Sequence, residues 1–384
     1  MIVAGEPSGD QLGADLAREL ITLVPDVKLF GTPGQKMRST GVESLMDSDD
    51  WSVVGLGAVA FSVPKFLSIK KALVNAANER KPSAVVLIDF PEFNLKLAGA
   101  LKNRGHHVVY YVSPQVWAWR QYRIKSIRKN VDLLLSILPF ESEWYRTLGI
   151  ENVKYVGNPV AKRTQATLSG SDFCKKYDLE EDRTVVAVLP GSRLKEIKRH
   201  LPTMLDAALI LHTQKPDIQF VVAAAPQTKE SITKIASSFL EKPESRSLTV
   251  RIVDGDAINA LAAADTAAVS SGTATLEAGV IGTPMAVVYK LPKLDYAIFS
   301  RIVKTPHIAL INLISGDSLV KELIQDDFNA RNLANELLRL IEPTTNANMR
   351  EQLRAATERL NIGDPSRTAA EAILEFIQSG AEGT

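Results

Sequence analysis

Short apolar runs alternate with longer segments of helical periodicity along the whole chain. The runs are apolar throughout, as in Val85-Val86-Leu87-Ile88, which is typical of strands buried on both faces of a parallel sheet. The predicted strands are Ile2–Ala4, Ala84–Ile88, His107–Val112, Asp132–Ile137, Val185–Leu189, Phe220–Ala223, Thr249–Ile252, Thr266–Val269 and Met285–Val288. The predicted helices between them include Gln11–Val24, Lys65–Ala77, Asn94–Asn103, Glu196–Thr213 and Lys229–Phe239. This alternation predicts an α/β fold with helices on both faces of parallel sheets.

One polar segment interrupts the alternation, from Gly157-Asn158-Pro159 to Ser169-Gly170-Ser171. A chain of 384 residues is too long for one ordinary core, so two domains of roughly 150–200 residues each are expected. We predict an N-terminal domain of residues 1–158 and a C-terminal domain of residues 159–344, with the helical residues from about 345 to 384 joined to the first domain. Two doubly wound domains facing each other across a central cleft are the most economical architecture.

Composition narrows the classes of function. Hydrophobic residues make up 45% of the chain and charged residues 23%, as in soluble globular proteins. The net charge of +1 argues against a protein that coats nucleic acid. The single cysteine, Cys174, excludes an internal disulfide and a cysteine-based zinc cluster. The first residues do not read as a signal peptide, and no apolar run approaches the ~20 residues of a membrane span. A cytoplasmic protein is expected, at most held on a membrane surface.

Candidate chemistry is expected in the loops after strands, because ligands of open parallel sheets bind outside the carboxyl ends of the strands. The first such loop is Gly5-Glu6-Pro7-Ser8-Gly9-Asp10. Its glycines permit close backbone approach, and the next helix start offers free N–H groups to an anion or a sugar hydroxyl. Asp10 has the simpler alternative of capping that helix.

Asp89 comes directly after the apolar strand that ends at Ile88. A carboxylate in such a place is costly unless it is used or hydrogen-bonded, and partial desolvation would raise its pKa toward the range of a general base. The alternative is a carboxylate that only pins the loop or caps the next helix.

Two of the four tryptophans stand two residues apart in Ser113-Pro114-Gln115-Val116-Trp117-Ala118-Trp119-Arg120. Aromatic faces stack on sugar rings and acyl chains, and arginine binds phosphate. Ser113, Trp117, Trp119 and Arg120 are therefore candidate acceptor-binding residues. The alternative is a pair of tryptophans wedged between the two domains.

Gly55-Leu56-Gly57-Ala58-Val59-Ala60 matches the dinucleotide pattern formally, but the acidic residue expected about 20 positions later is missing. The next stretch of the chain mixes apolar residues, Phe66 and Leu67 among them, with Lys65, Lys70 and Lys71. That mixture predicts an element that dips into a lipid interface beside anionic headgroups. A core-facing helix with solvated lysines is the competing interpretation.

Two loops of the second half have the character of a phosphate site. In Leu189-Pro190-Gly191-Ser192-Arg193, glycine permits close approach to a diphosphate and arginine supplies a bidentate charge. In the segment Ser270–Glu277, small and hydroxyl-bearing residues open a helix, and Glu277 can accept from both hydroxyls of a ribose. The candidate binding residues are Gly191, Ser192, Arg193, Ser271, Gly272, Thr273, Ala274 and Glu277. Simple helix capping is the alternative.

The sequence lacks the motifs of several other classes of active site. The five histidines show no paired ligand spacing, so no metal site is predicted. The chain has no G-x-S-x-G elbow and no P-loop, which argues against acyl hydrolases and P-loop kinases.

These motifs, together with Leu138-Pro139-Phe140-Glu141 and Val303-Lys304-Thr305, resemble those of the lipid-A-disaccharide synthase family in order and spacing over essentially the whole chain. The stretch Ser113–Arg120 is the most specific of them. The resemblance implies the GT-B architecture of two Rossmann-like domains, the N-terminal one binding acceptor and the C-terminal one binding UDP-sugar. It implies transfer of 2,3-diacylglucosamine from its UDP derivative to the 6-hydroxyl of 2,3-diacylglucosamine 1-phosphate, without a metal or other cofactor.

The resemblance also implies roles for single residues. Asp89 corresponds to the favoured general base, Arg193 to an arginine needed for activity, and Glu277 to a glutamate at the nucleotide; Asp10 is the second candidate for the base. Gly9, Asp10, Ser113, Trp117, Trp119, Arg120, Phe66 and Leu67 are expected on the acceptor and lipid side. The expected location is cytoplasmic, on the anionic surface of the inner membrane. The long helical C-terminus allows a homodimer, and no nucleic-acid partner is expected.

Two competing functions stay open from the residues alone. A UDP-N-acetylglucosamine 2-epimerase of the same fold would use one water-soluble sugar nucleotide, and would leave Phe61–Leu73 and the paired tryptophans unexplained. A non-catalytic nucleotide-sensing protein would release no UDP from the two acylated sugars.

Overall fold

The computed structural model describes residues 1–46, 59–303, 305–360 and 362–381. The chain forms two compact units, Met1–Pro159 with Ile362–Thr384, and Val160–Asn361. Among the described residues, no helix is both long enough and apolar enough to span a membrane.

The first unit is built on a seven-stranded parallel sheet of order β3-β2-β1-β4-β5-β6-β7. Its strands are β1 Ile2–Ala4, β2 Phe30–Thr32, β3 Glu43–Ser44, β4 Val85–Ile88, β5 Val108–Tyr111, β6 Leu133–Ser136 and β7 Val153–Tyr155. Its helices are α1 Pro7–Leu23, α2 Gln35–Arg38, α3 Val59–Arg80, α4 Pro91–Lys102, α5 Ile124–Asn130, α6 Glu141–Thr147 and, after the second unit, α17 Pro365–Ala381. The strand order reverses direction between β1 and β4, the doubly wound pattern.

The register of this sheet brings its functional loops to one edge. Ala4 pairs with Ile88, and Ile88 pairs with Tyr111. The loops that begin at Gly5, Asp89 and Val112 therefore leave the sheet side by side. Strand residues alternate between two apolar clusters: Val85 and Leu87 pack on one face, and Val86 and Ile88 on the other.

The second unit has a six-stranded parallel sheet of order β10-β9-β8-β11-β12-β13. Its strands are β8 Val185–Leu189, β9 Gln219–Ala224, β10 Thr249–Asp254, β11 Thr266–Ser270, β12 Met285–Tyr289 and β13 Glu322–Ile324. Its helices are α7 Pro159–Arg163, α8 Gly170–Lys176, α9 Leu194–Gln214, α10 Lys229–Leu240, α11 Ala257–Ala263, α12 Thr273–Ile281, α13 Lys293–Ile302, α14 Leu310–Ser315, α15 Ala330–Ile341 and α16 Pro343–Glu358. A single apolar core surrounds this sheet.

All the strands predicted from apolar runs are present, and the described residues add the short strands β2, β3, β7 and β13. These additions have two or three residues each, and β3, β7 and β13 lie at sheet edges. An edge strand needs no long apolar run because one side of it is not covered by a neighbour, so its signal in the sequence is weak.

The helix starts differ from the prediction at the first functional loop. Helix α1 begins at Pro7, not at Gln11, because proline suits the first helical position. Gly9 and Asp10, which were predicted to belong to a loop, therefore lie in the first turns of a helix.

The helices after residue 343 divide between the units. Helix α16 packs on α12, α14 and α15 of the second unit, and Arg350 donates hydrogen bonds to the carbonyls of Gly282 and Ala264. Helix α17 packs on α1 of the first unit. Of the residues from about 345 that were expected to join the first domain, those from Ile362 onward belong to the first unit.

Candidate functional site

Two groups of loops carry the predicted chemistry, one at the carboxyl edge of each sheet. The first group contains Asp89, whose backbone conformation is unusual. Asp89 and the next residue, Phe90, both have φ of +48°, in the left-handed region that non-glycine residues rarely occupy. Residues in such conformations cost of order 1–3 kcal/mol each and persist only where surrounding contacts hold them.

Buried side chains hold this turn. The Tyr110 hydroxyl donates to the Asp89 carbonyl at 2.7 Å, and Asn94 Nδ2 donates to the carbonyls of Ile88 and Asp89 at 3.1 and 2.8 Å. Tyr110 and Asn94 are both fully buried. Asn94 lies in the first turn of helix α4, and its amide binds the carbonyls that precede the helix.

The Asp89 carboxyl is itself partly buried, and this changes its acidity. Desolvation raises its pKa to about 6, with a smaller contribution from the negative charge of Glu6 in the same direction. The N–H of Phe90 acts against this shift. A carboxylate with a pKa near neutrality can accept a proton from a sugar hydroxyl far better than an ordinary aspartate.

Asp10 is placed differently. It is buried, and its carboxylate accepts hydrogen bonds from the backbone N–H groups of Gly34, Lys36 and Met37 at 2.8, 2.9 and 3.1 Å. These contacts fix the start of helix α2 and occupy most of the acceptor positions of the carboxylate. Gly9 lies against Ala4 of β1, so it allows helix α1 to approach the sheet. Asp10 therefore holds the start of helix α2.

The paired tryptophans separate into a buried and an exposed member. Trp117 is 7% exposed, and its Nε1 donates to Oε1 of Glu141 at 2.9 Å. Its ring meets Phe140 edge to face, with centroids 5.1 Å apart. These partners belong to the first unit, so Trp117 packs within that unit and leaves little of its ring for a sugar. Ser113 is buried in the same loop.

Glu141 holds this loop in place. It is 1% exposed, accepts from Trp117 and from the N–H of Leu138 at 3.1 Å, and has a pKa raised to about 7 by burial. Its only sequence signal is its position in Leu138-Pro139-Phe140-Glu141, which carried no predicted role.

Trp119 and Arg120 stay at the surface. Trp119 is 41% exposed, and the Arg120 guanidinium lies over its ring, 4.1 Å from the centroid. Arg120 and Arg123 both donate to Oε1 of Glu92, at 2.7 and 2.8 Å. An exposed aromatic face beside an arginine suits a phosphorylated ligand.

Helix α3 brings apolar side chains to the Asp89 turn. The Phe66 ring lies 6.2 Å from that of Phe90 and 5.7 Å from that of Phe93, while Leu67 is 55% exposed. Phe66 therefore packs partly on the core, and Leu67 faces outward. The motif Gly55-Leu56-Gly57-Ala58 and Lys304 lie outside the described residues.

The second group of loops surrounds a cavity of about 460 Å³ in the second unit. It brings together all the residues predicted for a phosphate and ribose site: Gly191, Ser192, Arg193, Ser271, Gly272, Thr273, Ala274 and Glu277. Pro226, Gly255 and Ala257 also line it; Pro226 follows β9, and Gly255 and Ala257 follow β10. The sequence does not single out these three, because proline, glycine and alanine have no polar side chain that would mark them as binding residues.

Backbone conformation shapes this cavity. Gly191 has φ of +115°, and a Cβ there would lie 2.7 Å from Oε2 of Glu196. Gly272 has φ of +148° and precedes the first residue of helix α12. The N–H groups of Thr273 and Ala274 have no partners within the helix, so they are available to an anion, whereas the N–H of Thr275 donates to the Gly272 carbonyl at 3.1 Å.

Charged side chains complete the cavity. Arg193 has a side chain 79% exposed, and its Nη1 lies 2.9 Å from Oε1 of Glu196, a residue without a predicted role. Burial raises the pKa of Glu277, one turn inside α12. The cavity thus combines an exposed positive charge, helix amides and a hydrogen-bond acceptor. Among the described residues, no group of three or more His, Cys, Asp or Glu side chains could hold a metal ion.

Comparison with solved structures shows the fold that these loops belong to. A UDP-N-acetylglucosamine 2-epimerase from Neisseria meningitidis, solved bound to UDP-GlcNAc, matches with a TM-score of 0.62 and 13% identity over 97% of this chain and 98% of that one. The S. aureus MnaA structure with UDP matches with a TM-score of 0.64 and 14% identity, over 100% of this chain and 96% of that chain. Both parallel sheets of this chain thus belong to the Rossmann-like architecture of GT-B enzymes.

Comparison of sequences is more specific. The family model described as lipid-A-disaccharide synthetase matches residues 1–376. The lipid-A-disaccharide synthase of Myxococcus xanthus is 39% identical over 99% of this chain and 98% of its own length. That of Anaeromyxobacter dehalogenans (strain 2CP-C) is 43% identical over 95% and 93%. The chain therefore belongs to the lipid-A-disaccharide synthase family and is a glycosyltransferase.

Proposed function

We propose that this enzyme transfers 2,3-diacylglucosamine, with inversion, from UDP-2,3-diacylglucosamine to the 6-hydroxyl of 2,3-diacylglucosamine 1-phosphate. The products are the β-1,6-linked disaccharide 1-phosphate and UDP. The observation that carries this proposal, beside family membership, is the cavity of the second unit, where Arg193, the start of α12 and Glu277 line one space. The diphosphate of a nucleoside diphosphate needs a positive charge and free backbone N–H groups, and its ribose needs a hydrogen-bond acceptor.

The donor is held in this cavity. The diphosphate lies against the amides at Thr273 and Ala274 and close to Gly191, whose lack of a side chain admits it. Glu277 accepts hydrogen bonds from the ribose hydroxyls. Arg193 neutralises the charge that develops on the departing UDP, and its exposed side chain can exchange Glu196 for phosphate oxygens.

The acceptor is held by the first unit. Asp89 removes the proton of the attacking 6-hydroxyl as the bond from that oxygen to the sugar carbon forms and the bond to UDP breaks. Its raised pKa and the held turn of Asp89 and Phe90 support this role. Arg120 and the exposed face of Trp119 are assigned to the acceptor phosphate and sugar.

The apolar residues beside Asp89 are assigned to the acyl chains of the substrates. Phe66 contacts Phe90 and Phe93, and Leu67 is exposed on the same helix as the exposed Lys65 and Lys71. This mixture supports peripheral binding to the anionic inner-membrane surface from the cytoplasm. A homodimer is part of the proposal, and sedimentation velocity of the purified protein tests it.

The test of the proposed function is direct. Purified protein mixed with both acylated sugars should release UDP and form one disaccharide phosphate, identified by mass spectrometry. Release of UDP from the donor without formation of a disaccharide, or epimerisation of UDP-N-acetylglucosamine, would contradict it.

Membrane binding is tested by flotation with anionic vesicles. If L67S and F66S leave flotation unchanged, helix α3 is not the membrane element.

A further inference from the structure

His200 is a buried titratable group that the proposed mechanism does not use. It lies on helix α9 and is 0% exposed. Both ring nitrogens have polar partners: Nδ1 lies 3.0 Å from the Pro190 carbonyl and 3.2 Å from Ser270 Oγ, and Nε2 accepts from the N–H of Lys290 at 3.1 Å. The Lys290 carbonyl lies farther from Nε2, at 3.4 Å.

These partners belong to the ends of three adjacent strands. Pro190 follows β8, Ser270 ends β11 and Lys290 follows β12, and these strands are neighbours in the sheet. Ser270 and the residues on either side of Pro190, Leu189 and Gly191, line the cavity. One side chain thus connects both loops that face the proposed diphosphate.

The partners also define the state of the ring. A carbonyl oxygen only accepts, so Nδ1 carries the proton toward Pro190, and a backbone N–H only donates, so Nε2 carries the lone pair toward Lys290. The bound form is therefore the neutral Nδ1–H tautomer. A second proton on Nε2 would face the Lys290 N–H and break that contact, leaving only the longer approach to the Lys290 carbonyl at 3.4 Å.

The surroundings favour the neutral form. The ring packs between Tyr289 and Phe328, with centroids 5.9 and 5.8 Å away, and burial lowers its pKa. Of the charged groups around it, Glu196 acts to raise the pKa and Arg199 to lower it. Arg199 also donates to the Lys290 carbonyl at 3.2 Å.

We propose that His200 is a positioning residue for the UDP-sugar. As a neutral bridge it sets the distance between the Pro190–Gly191 and Ser270–Gly272 segments, and thereby the spacing of the groups that meet the diphosphate. The proposal rests on the donor site proposed above. It predicts that the hydrogen bonds of His200, and not merely its bulk, determine affinity for the nucleotide.

The test compares H200L, H200N and H200Q with wild type, using UDP in isothermal titration calorimetry and UDP-sugar kinetics. H200L leaves the Pro190 carbonyl and the Lys290 N–H without partners, and should weaken UDP binding about tenfold or more, the equivalent of one to two lost hydrogen bonds. KM for the donor should rise more than kcat falls. H200Q, which keeps a donor and an acceptor at similar reach, should recover much of the affinity, and the shorter H200N should not.

The matched control is H212L on the same helix. His212 Nε2 lies 3.0 Å from Ser247 Oγ, away from the residues that line the cavity, so this variant should bind UDP as wild type does. An NMR measurement of ¹⁵N-labelled histidine should show the neutral Nδ1–H tautomer for His200, unchanged as the pH falls through the usual histidine range.

The outcomes separate the two proposals. If wild type itself does not bind UDP, the donor site is wrong. If wild type binds and folded H200L matches it in UDP affinity and donor KM, the positioning role is overturned, as it is if H200N and H200Q weaken binding equally. Should H200L not fold, the comparison of H200N with H200Q decides.

Discussion

The loops of the two units reach their chemistry by different means. In the first unit, one carboxyl group, Asp89, is held in a strained turn by the side chains of Tyr110 and Asn94. In the second unit, the cavity is shaped by backbone: glycines with positive φ and the start of a helix. The first arrangement is sensitive to loss of the hydrogen bonds that side chains donate. The second is sensitive to a side chain added at a glycine.

The largest effect is expected at the carboxyl group. D89N keeps the shape of the turn but cannot accept a proton, so kcat should fall ~10²–10⁴-fold, the usual contribution of a general base. UDP affinity should not change, because the donor is assigned to the other unit. Kinetics and calorimetry on the same preparation check both. D89N with near-wild-type turnover and normal donor binding would show that another group, Asp10 first, is the base.

The matching change in the second unit adds a methyl group. G191A places a Cβ at φ of +115° and within 2.7 Å of Oε2 of Glu196, so UDP affinity should fall about tenfold or more. G282A is the control, since Gly282 also has positive φ but has open space around it. It should lower the free energy of unfolding by about 1 kcal/mol without changing UDP affinity. Equal losses of affinity in both variants would point to general strain.

A smaller effect is expected from the support of the turn. N94A removes the two hydrogen bonds to the Ile88 and Asp89 carbonyls and should lower kcat about tenfold, with donor KM unchanged. N152A is the control, because Asn152 Nδ2 likewise donates to two carbonyls, those of Val131 and Asp132, at the other end of the sheet. If both variants lose stability and both keep wild-type kcat, Asn94 has no role beyond folding.

The smallest effect concerns pH. The base form of Asp89 is lost as the pH falls through about 6, so kcat/KM should decline below that value. Glu6 helps to raise this pKa, and E6Q should move the decline to lower pH. E151Q removes the same charge from another exposed position of the first unit and should leave the pH profile in place. A profile that E6Q leaves unchanged would disconnect the decline from Asp89.

The two regions also differ in how much of them the sequence predicts. All eight residues predicted for the phosphate and ribose site line the cavity, because phosphate sites of this kind use glycine and hydroxyl residues directly after strands, a local pattern. The segments at Pro226 and Gly255 were not predicted, since these two residues contribute only backbone and space to the cavity.

In the first unit, prediction from sequence reached Asp89 but not the contacts that hold it. The hydrogen bonds of Asn94 and Tyr110 to its carbonyl join three elements, and the two left-handed residues depend on them. Trp117 and Asp10 were predicted to contact a ligand, and the structure adds contacts within the fold that the sequence did not predict, to Glu141 and to the start of α2. A polar side chain reads the same in sequence whether its partner is a ligand or the protein itself.

The path of helix α17 has a consequence for how the protein is made. Its residues Ala369, Ala370 and Ile373 belong to the apolar cluster on one face of the first sheet, together with Leu16 of α1. They leave the ribosome only after the whole of the second unit has been synthesised. During translation one apolar face of the first unit therefore stays uncovered while the second unit completes its own core. The first unit begins to be synthesised first but completes its folding last.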